Sequence, residues 1–182
     1  MNGEVPLDQV YGRRLDIIQP TLRQVEDLGQ RYVASLVPGA METVVRLRQA
    51  GALVHLVTAG IAQAIAPLAA HLGIEPRAVL AVPLLFNAEG RYIDYDRRAL
   101  PARPGGKEVA VRDVRARSHG RAAFIGDGVS DLEAKPAVDL FIGFGGVLVR
   151  PRVREGADVF LEGADMTAVL PHLLGDVSSS SR

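Results

Sequence analysis

The segment Phe124-Ile-Gly-Asp-Gly-Val-Ser-Asp131 is the most informative part of this sequence. A short apolar run from Ala122 to Ile125 indicates a buried strand. The strand runs into Gly-Asp-Gly, where the two glycines permit a sharp turn and a close approach of the backbone to a ligand. A helix is predicted to begin near Ser130. In an open parallel sheet, ligands bind at the carboxyl ends of the strands, and this turn stands at such an end.

Two carboxylates in this stretch predict a metal site. Asp127 follows the strand directly, and Asp131 comes one helical turn later on the same side. Such a pair suits Mg²⁺, which keeps several waters and shares an oxygen with a phosphate group. The alternative is a plain Asp-Gly turn followed by a solvated helix start. The preceding strand and the second aspartate favour the metal site.

Outward from this stretch, strands alternate with helices, which is typical of an α/β fold with a mostly parallel sheet. Apolar residues at helical spacing, and breaks at Pro20, Gly51 and Gly73, predict the helices. These cover residues 7–18, 22–35 (capped by Thr21), 40–49, 61–72, 107–118 and 164–174. Short apolar runs predict strands over 53–57, 122–125, 140–142 and 159–161, with a hairpin over about 79–96.

The composition excludes several classes of protein. The 182 residues carry 21 Lys and Arg against 21 Asp and Glu, so no net charge attracts nucleic acid or an anionic membrane. The basic segment 97–121 contains no aromatic residue for base stacking, which favours a solvated face. Cysteine is absent, so disulfides, thiolate catalysis and Cys-based zinc sites are excluded. No apolar run approaches the length of a membrane helix, and the N-terminus does not have the pattern of a signal peptide. We therefore predict a cytoplasmic protein with neither membrane nor nucleic-acid partners.

Two further segments are candidates for phosphate binding. Thr58-Ala59-Gly60 lies between a predicted strand and a helix N-terminus, where backbone N–H groups attract anions. A simple Thr cap explains the same residues equally well. Lys107, after two glycines, fits either a phosphate clamp or an exposed lysine at a helix start. The four histidines show no ligand spacing and are predicted to be structural; they are His55, His71, His119 and His172.

Together these residues resemble the phosphoserine phosphatase family of the haloacid dehalogenase superfamily. Thr58-Ala-Gly stands where the family has Ser-Gly-Gly, Lys107 stands at its motif lysine, and GDGVSD matches GDG-x-[ST/N]-D. Segments 3–7, 14–20 and 141–146 are also similar to the family, so the resemblance covers residues 1 to about 174. Ala59 departs from the first glycine of the family's pair, and Leu7 stands where an aromatic residue is common.

The resemblance implies a fold, a reaction and a set of roles. The fold is a Rossmann-like parallel sheet with helices on both faces and a small helical cap. Residues 1–37 would be the remainder of the cap, 38–175 the phosphatase core and 176–182 a disordered tail. The reaction is Mg²⁺-dependent hydrolysis of O-phospho-L-serine in serine biosynthesis, through an aspartyl-phosphate. The implied metal residues are Asp127 and Asp131; the implied catalytic residues are Lys107 and Thr58. The implied substrate contacts are Met1, Asn2, Arg14, Thr58, Ala59, Gly60, Lys107 and Ser130.

One family motif is missing before Thr58. The family begins with a strand ending in DxDx[TSV], whose first aspartate is the nucleophile, and the only DxD here is Asp94-Tyr-Asp96 in the hairpin. We therefore expect that Met1 is internal to a longer protein, that the central strand is missing, and that residues 1–182 are inactive by themselves. We also expect Thr58, Lys107 and Asp127 to converge on one pocket.

Two alternatives to this interpretation stay open. The chain could be a catalytically dead phosphate-binding or interaction module, as the missing motif favours. It could instead be another small-molecule phosphatase of the same superfamily. The sequence also leaves open whether the protein forms a homodimer.

Overall fold

The computed structural model describes the backbone of residues 7–175 and the side chains of residues 11–175. Eight helices and seven strands alternate along this part of the chain. The helices are α1 (Leu7–Ile18), α2 (Leu22–Ala34), α3 (Ala40–Gln49), α4 (Ala62–His71), α5 (Gly106–Ala116), α6 (Val129–Leu132), α7 (Pro151–Gly156) and α8 (Leu170–Leu174). The strands are β1 (Leu56–Ile61), β2 (Val79–Val82), β3 (Leu84–Phe86), β4 (Tyr92–Tyr95), β5 (Ala123–Gly126), β6 (Leu140–Phe144) and β7 (Val159–Leu161).

The described chain forms two compact units. The first contains residues up to Ser35 together with His55–His119, and the second contains Leu36–Val54 together with the residues from Gly120 onward. No helix among residues 7–175 is long and apolar enough to cross a membrane.

In the first unit, β1 pairs in parallel with β2, and β3 pairs antiparallel with β4. The α1 and α2 helices pack on the hairpin and on α4 through an apolar cluster. Its buried members are Leu15, Val25, Ala64, Val82, Leu84, Tyr95 and Ala102. The Gln63 side chain fixes α4 to β3, because it donates to the Leu84 carbonyl at 2.7 Å and accepts from the Leu84 amide at 3.1 Å. The residues after β1 are therefore held against the hairpin.

In the second unit, β5, β6 and β7 form a parallel sheet in that order. The register pairs Gly126 with Gly143, so the carboxyl ends of β5 and β6 are neighbours. Phe141 and Ile142 of the central strand are completely buried, and the ring of Phe141 stacks on that of Phe124 at 5.9 Å between centroids. This sheet places the turn after β5 beside the loop after β6.

The strands that precede the candidate site each have one neighbour. Among the described residues, β1 pairs only with β2 and β5 only with β6. Each of these two strands therefore has one backbone edge without a strand partner in the part of the chain that the structure describes. The strand predicted to stand between them stays a prediction.

The α/β class with parallel strands is confirmed, as are the predicted ranges of α1 and α3, while several other boundaries differ. The strand predicted over 53–57 lies at Leu56–Ile61, because Leu53 is exposed and the pairing with β2 begins at Leu56. The predicted hairpin arm 79–86 is two strands in two sheets, divided at Pro83, which has no N–H for the ladder. The predicted last helix is a 3₁₀ turn over Met166–Val169 followed by the short α8.

Candidate active site

The turn after β5 is held together by Asp131. Its Oδ2 atom accepts the backbone N–H of Gly128 at 2.8 Å and that of Asp127 at 3.2 Å, and the residue is 9% exposed. Gly126 is required at the end of the strand, because a Cβ there would lie 2.4 Å from the Cβ of Asp131. The alternative interpretation, in which Asp131 lies at a solvated helix start, is therefore wrong. Asp131 is a buried carboxylate that holds the turn.

Asp127 points its carboxylate outward from this turn, with a side chain that is 49% exposed. Arg150, at the start of α7, donates from Nη1 to the main-chain carbonyl of Asp127 at 2.9 Å. The same nitrogen is hydrogen-bonded and ion-paired to Oδ2 of Asp127. The sequence analysis missed Arg150, since 23 residues separate it from its partner and only the β5–β6 pairing brings their segments together.

These oxygens fit a divalent cation in part. Among residues 11–175 no cluster of three or more acidic or histidine side chains could hold a metal by itself. Asp127 offers a carboxylate and a carbonyl oxygen, and Mg²⁺ commonly binds through one or two carboxylates, waters and a substrate phosphate. Asp131 has already committed Oδ2 to two amides, which fits a supporting position better than that of a first ligand.

Thr58, Ala59 and Gly60 form an irregular end of β1 rather than the predicted turn outside the strand. The parallel register with β2 shifts between Val57 and Ile61, which leaves these three residues in a bulge directly before α4. The hydroxyl of Thr58 accepts the N–H of Gly60 at 2.9 Å. A hydroxyl that accepts one bond keeps its own proton for another acceptor, so Thr58 can still act as a donor to an anion.

Lys107 is buried rather than exposed, with 7% of its surface accessible. It lies in the first turn of α5, a helix that contacts β1. The two preceding glycines fix it there: Gly105 has a left-handed φ of 66°, and a Cβ on Gly106 would lie 1.7 Å from the carbonyl oxygen of Leu100. The alternative of an exposed lysine at a helix start is therefore wrong, and the phosphate clamp stays a prediction.

The other predicted contacts lie on short or exposed segments. Arg14 is exposed on α1, and that helix is anchored to the hairpin by Leu15 and by an edge-to-face contact of Tyr11 with Tyr95 at 5.1 Å. Ser130 is half-buried in the first turn of α6. Met1 and Asn2 lie outside the described residues.

The DxD in the hairpin is occupied by ion pairs. Arg97 donates to both carboxylate oxygens of Asp94 at 3.1 and 3.2 Å, and Arg98 pairs with Asp96 at 3.2 Å. The Arg97 side chain holds the pKa of Asp94 below its usual value, and the backbone and side chain of Arg98 do the same for Asp96. These carboxylates pair with the arginines that follow the hairpin.

The predicted residues thus fall into two sets. Thr58 and Lys107 belong to the first unit, and Asp127 and Asp131 belong to the second. Their convergence on one pocket stays a prediction. The second unit also has a half-open cavity of about 330 Å³, lined by α3 and the C-terminal helices. None of the predicted site residues that the structure describes lines it. Its lining residues are Glu42, Arg46, Thr167, Leu170, Pro171, Leu174 and Gly175.

Comparison with known proteins identifies similar sequences. Residues 13–134 match the haloacid dehalogenase-like hydrolase family. The chain is 38% identical over 161 residues to the chloroplastic phosphoserine phosphatase of Arabidopsis thaliana, covering 87% of this chain and 55% of that protein. It is 33% identical over 162 residues to the phosphoserine phosphatase of Bos taurus, covering 88% of this chain and 72% of that protein. The chain therefore spans about half the length of the plant relative and nearly three quarters of the bovine one.

Solved structures share the fold. A phosphoserine phosphohydrolase-like protein from Francisella tularensis superposes with a TM-score of 0.82 at 24% identity, over 96% of this chain and 80% of that one. A substrate-bound phosphoserine phosphatase superposes with a TM-score of 0.81 at 21% identity, over 94% of this chain and 80% of that one. At these identities the superpositions show the common fold.

Proposed function

The chain belongs to the haloacid dehalogenase-like hydrolases, among relatives that are phosphoserine phosphatases, and from that membership we propose that its protein hydrolyses O-phospho-L-serine to L-serine and phosphate. The proposal includes Mg²⁺ as cofactor, a cytoplasmic location and a place in serine biosynthesis. The single observation that carries it is the turn after β5, where Asp131 holds the backbone so that Asp127 presents an outward carboxylate at the end of a parallel strand. The identity of 33–38% to phosphoserine phosphatases supports the substrate.

In this proposal the first unit binds the phosphate group. The Thr58 hydroxyl donates to a phosphate oxygen while it accepts the Gly60 N–H, and the Ala59 N–H is a further donor. The Gly60 N–H, which the resemblance also assigned to the phosphate, is already donated to Thr58. The Lys107 ammonium neutralises the phosphate charge from its buried place beside β1. A desolvated cation interacts more strongly with an anion than one in bulk water does.

The second unit supplies the carboxylates. Asp127 would hold the metal ion and Asp131 would fix the turn that carries it. Bound there, Mg²⁺ would offset the charge that develops on the transferring phosphoryl group. Ser130, in the turn that follows, would contact the substrate.

Arg14 is proposed to recognise the substrate's carboxylate. It is exposed on the helix whose other face packs on the hairpin. A guanidinium binds a carboxylate through two parallel hydrogen bonds. This contact would favour phosphoserine over phosphomonoesters that lack a carboxylate, including such substrates of other phosphatases in the superfamily.

The covalent step needs an aspartate that no residue before Thr58 supplies in a DxDx[TSV] pattern. In the proposed reaction this carboxylate attacks phosphorus, and the serine alkoxide leaves with a proton from the second aspartate of the same motif. Water then cleaves the aspartyl-phosphate to phosphate and the free carboxylate. Residues 1–182 by themselves are therefore expected to bind ligand without turnover. This missing motif also favours the second candidate, a phosphate-binding module without catalytic activity.

Binding and turnover test the proposal separately. Residues 1–182 with O-phosphoserine and Mg²⁺ should broaden the ³¹P resonance of the ligand, and Lys107→Met should abolish the broadening. The reading frame extended upstream of the Met1 codon should then release phosphate from O-phosphoserine, and Asp127→Asn should prevent it. An in-frame DxDx[TSV] segment together with turnover would exclude the inactive module. An extended protein that binds phosphoserine but never hydrolyses it would contradict the phosphatase proposal.

A further inference from the structure

Arg150 occupies the carboxylate that the proposed function gives to the metal ion. Its Nη1 atom donates to two oxygens of Asp127, the main-chain carbonyl at 2.9 Å and the carboxylate Oδ2. The Arg150 side chain is 25% exposed, so this ion pair is partly shielded from water. Carboxylate and carbonyl oxygens are also the ligands that hard divalent cations prefer. The guanidinium and a divalent cation would therefore bind to the same two oxygen atoms of Asp127.

Close packing fixes the start of the loop that carries Arg150. The loop leaves β6 through Gly145 and Gly146. A Cβ on Gly145 would lie 2.7 Å from the ring of Phe160, and one on Gly146 would lie 2.6 Å from both the Phe144 ring and the Gly163 carbonyl. Larger residues at these two positions would push the loop away from β7. The backbone path out of β6 is thus determined before the chain reaches Arg150.

The other end of the loop is fixed by α7. Pro151 occupies the first turn of this helix, where its restricted φ favours the helical conformation. Gly156, at the end of the helix, allows α7 to approach α6, since a Cβ there would lie 2.6 Å from the Leu132 side chain. The end of β6 and the start of α7 therefore hold Arg150 beside Asp127. The residues between these two elements, Val147, Leu148 and Val149, are exposed.

We propose that Arg150 is a built-in competitor of the divalent cation for Asp127. The inference rests on the proposed function, because it concerns the metal carboxylate of that same site. A guanidinium on the Asp127 oxygens keeps them from a second cation, and metal binding must displace it. The apparent dissociation constant is then the intrinsic one divided by the fraction of molecules in which Arg150 has left Asp127. A role in orienting Asp127 for the metal would have the opposite effect, so the sign of one measurement separates the two.

Binding of Mn²⁺ to residues 1–182, measured by electron paramagnetic resonance, tests this competition. Arg150→Gln should tighten Mn²⁺ binding roughly 1.5- to fivefold, the range expected when a partly exposed ion pair is removed. Arg150→Lys keeps the charge without the fork of the guanidinium and should lie between wild type and Arg150→Gln. Arg154→Gln is the matched control, because Arg154 lies on the same helix but pairs with Glu162. It should bind Mn²⁺ as the wild type does.

Two further measurements secure the interpretation. Asp127→Asn should abolish Mn²⁺ binding in both the wild-type and the Arg150→Gln backgrounds. Raising the salt concentration should narrow the difference between wild type and Arg150→Gln, since screening weakens the ion pair. Circular dichroism reports whether Arg150→Gln is folded; if it is not, Arg150→Met, with a long uncharged side chain, takes its place in the comparison.

The proposal is overturned if the uncharged variants bind Mn²⁺ more weakly than wild type, equally, or not at all. This failure is distinct from that of the proposed function, which is decided by phosphate release from O-phosphoserine. A protein that hydrolyses phosphoserine with unchanged Mn²⁺ affinity in Arg150→Gln would keep the function and remove the competition. Tighter Mn²⁺ binding in Arg150→Gln, together with no turnover by the protein extended upstream of Met1, would support the competition and contradict the phosphatase.

Discussion

Replacing Asp131 by alanine tests whether this carboxylate holds the turn after β5. Its Oδ2 atom accepts two backbone N–H groups, at 2.8 and 3.2 Å, and the residue is nearly buried. A hydrogen bond to a charged group contributes about 1.5–3 kcal/mol when it is well formed. The amides of Asp127 and Gly128 are partly accessible to water, which compensates some of the loss, so we expect a destabilisation of about 2 kcal/mol.

Urea denaturation followed by circular dichroism, in chelator and without added metal, measures this change. With a slope of about 2 kcal/mol per molar urea, the midpoint should fall by about 1 M. Asp131→Asn keeps the shape and one oxygen acceptor but loses the charge, and should fall by roughly half as much. Asp113→Ala removes an exposed carboxylate of α5 and serves as the control, with no measurable shift. If Asp131→Ala unfolds at the wild-type midpoint without metal, Asp131 does not hold the turn, and its function is that of a metal ligand alone.

Three other perturbations address the remaining parts of the molecule. Arg14→Ala in the catalytically complete protein should raise KM for phosphoserine at least tenfold and leave hydrolysis of phosphoethanolamine, which has no carboxylate, little changed; equal losses on both substrates would remove Arg14 from carboxylate recognition. Gly106→Ala should destabilise the protein by roughly 3 kcal/mol or more, because its Cβ would meet the Leu100 carbonyl oxygen at 1.7 Å, whereas Gly163→Ala, with open space around it, should not; thermal melts compare them. Burial, with a smaller contribution from Arg117, lowers the pKa of His55 in the folded protein below its usual value. As the pH falls, His55 therefore takes up a proton in the unfolded chain before it does so in the folded one. The stability that neutral His55 contributes is thus present above about pH 6.5 and is lost as the pH falls. His55→Gln should therefore flatten the decline of Tm between about pH 7 and pH 5, and an unchanged slope would contradict this explanation.

The burial of Lys107 could not be predicted from its neighbours in the chain. Gly105-Gly106 before it fits a helix start with an exposed lysine as well as a phosphate clamp. The carbonyl of Leu100 decides between them, because it approaches Gly106 so closely that α5 must begin there, with Lys107 on its buried side. Pro83 is a comparable case: the apolar run around it looks continuous, and only the pairing of β2 with β1 and of β3 with β4 divides it.

Features that depend on local conformational preferences could be predicted from the sequence alone. The spacing of apolar residues fixes α1 and α3, Thr21 and Gln24 form the predicted start of α2, and the alternation of helices with apolar runs determines the α/β class. The Gly126–Asp131 turn also belongs to this group, since strand, glycines and both aspartates lie within a few residues. The pairing of Arg150 with Asp127 was decided only by the tertiary structure. Side chains 23 positions apart are brought together by the register of β5 on β6 and by glycines packed against Phe160 and Phe144, and such long-range contacts have no periodicity in the sequence that would indicate them.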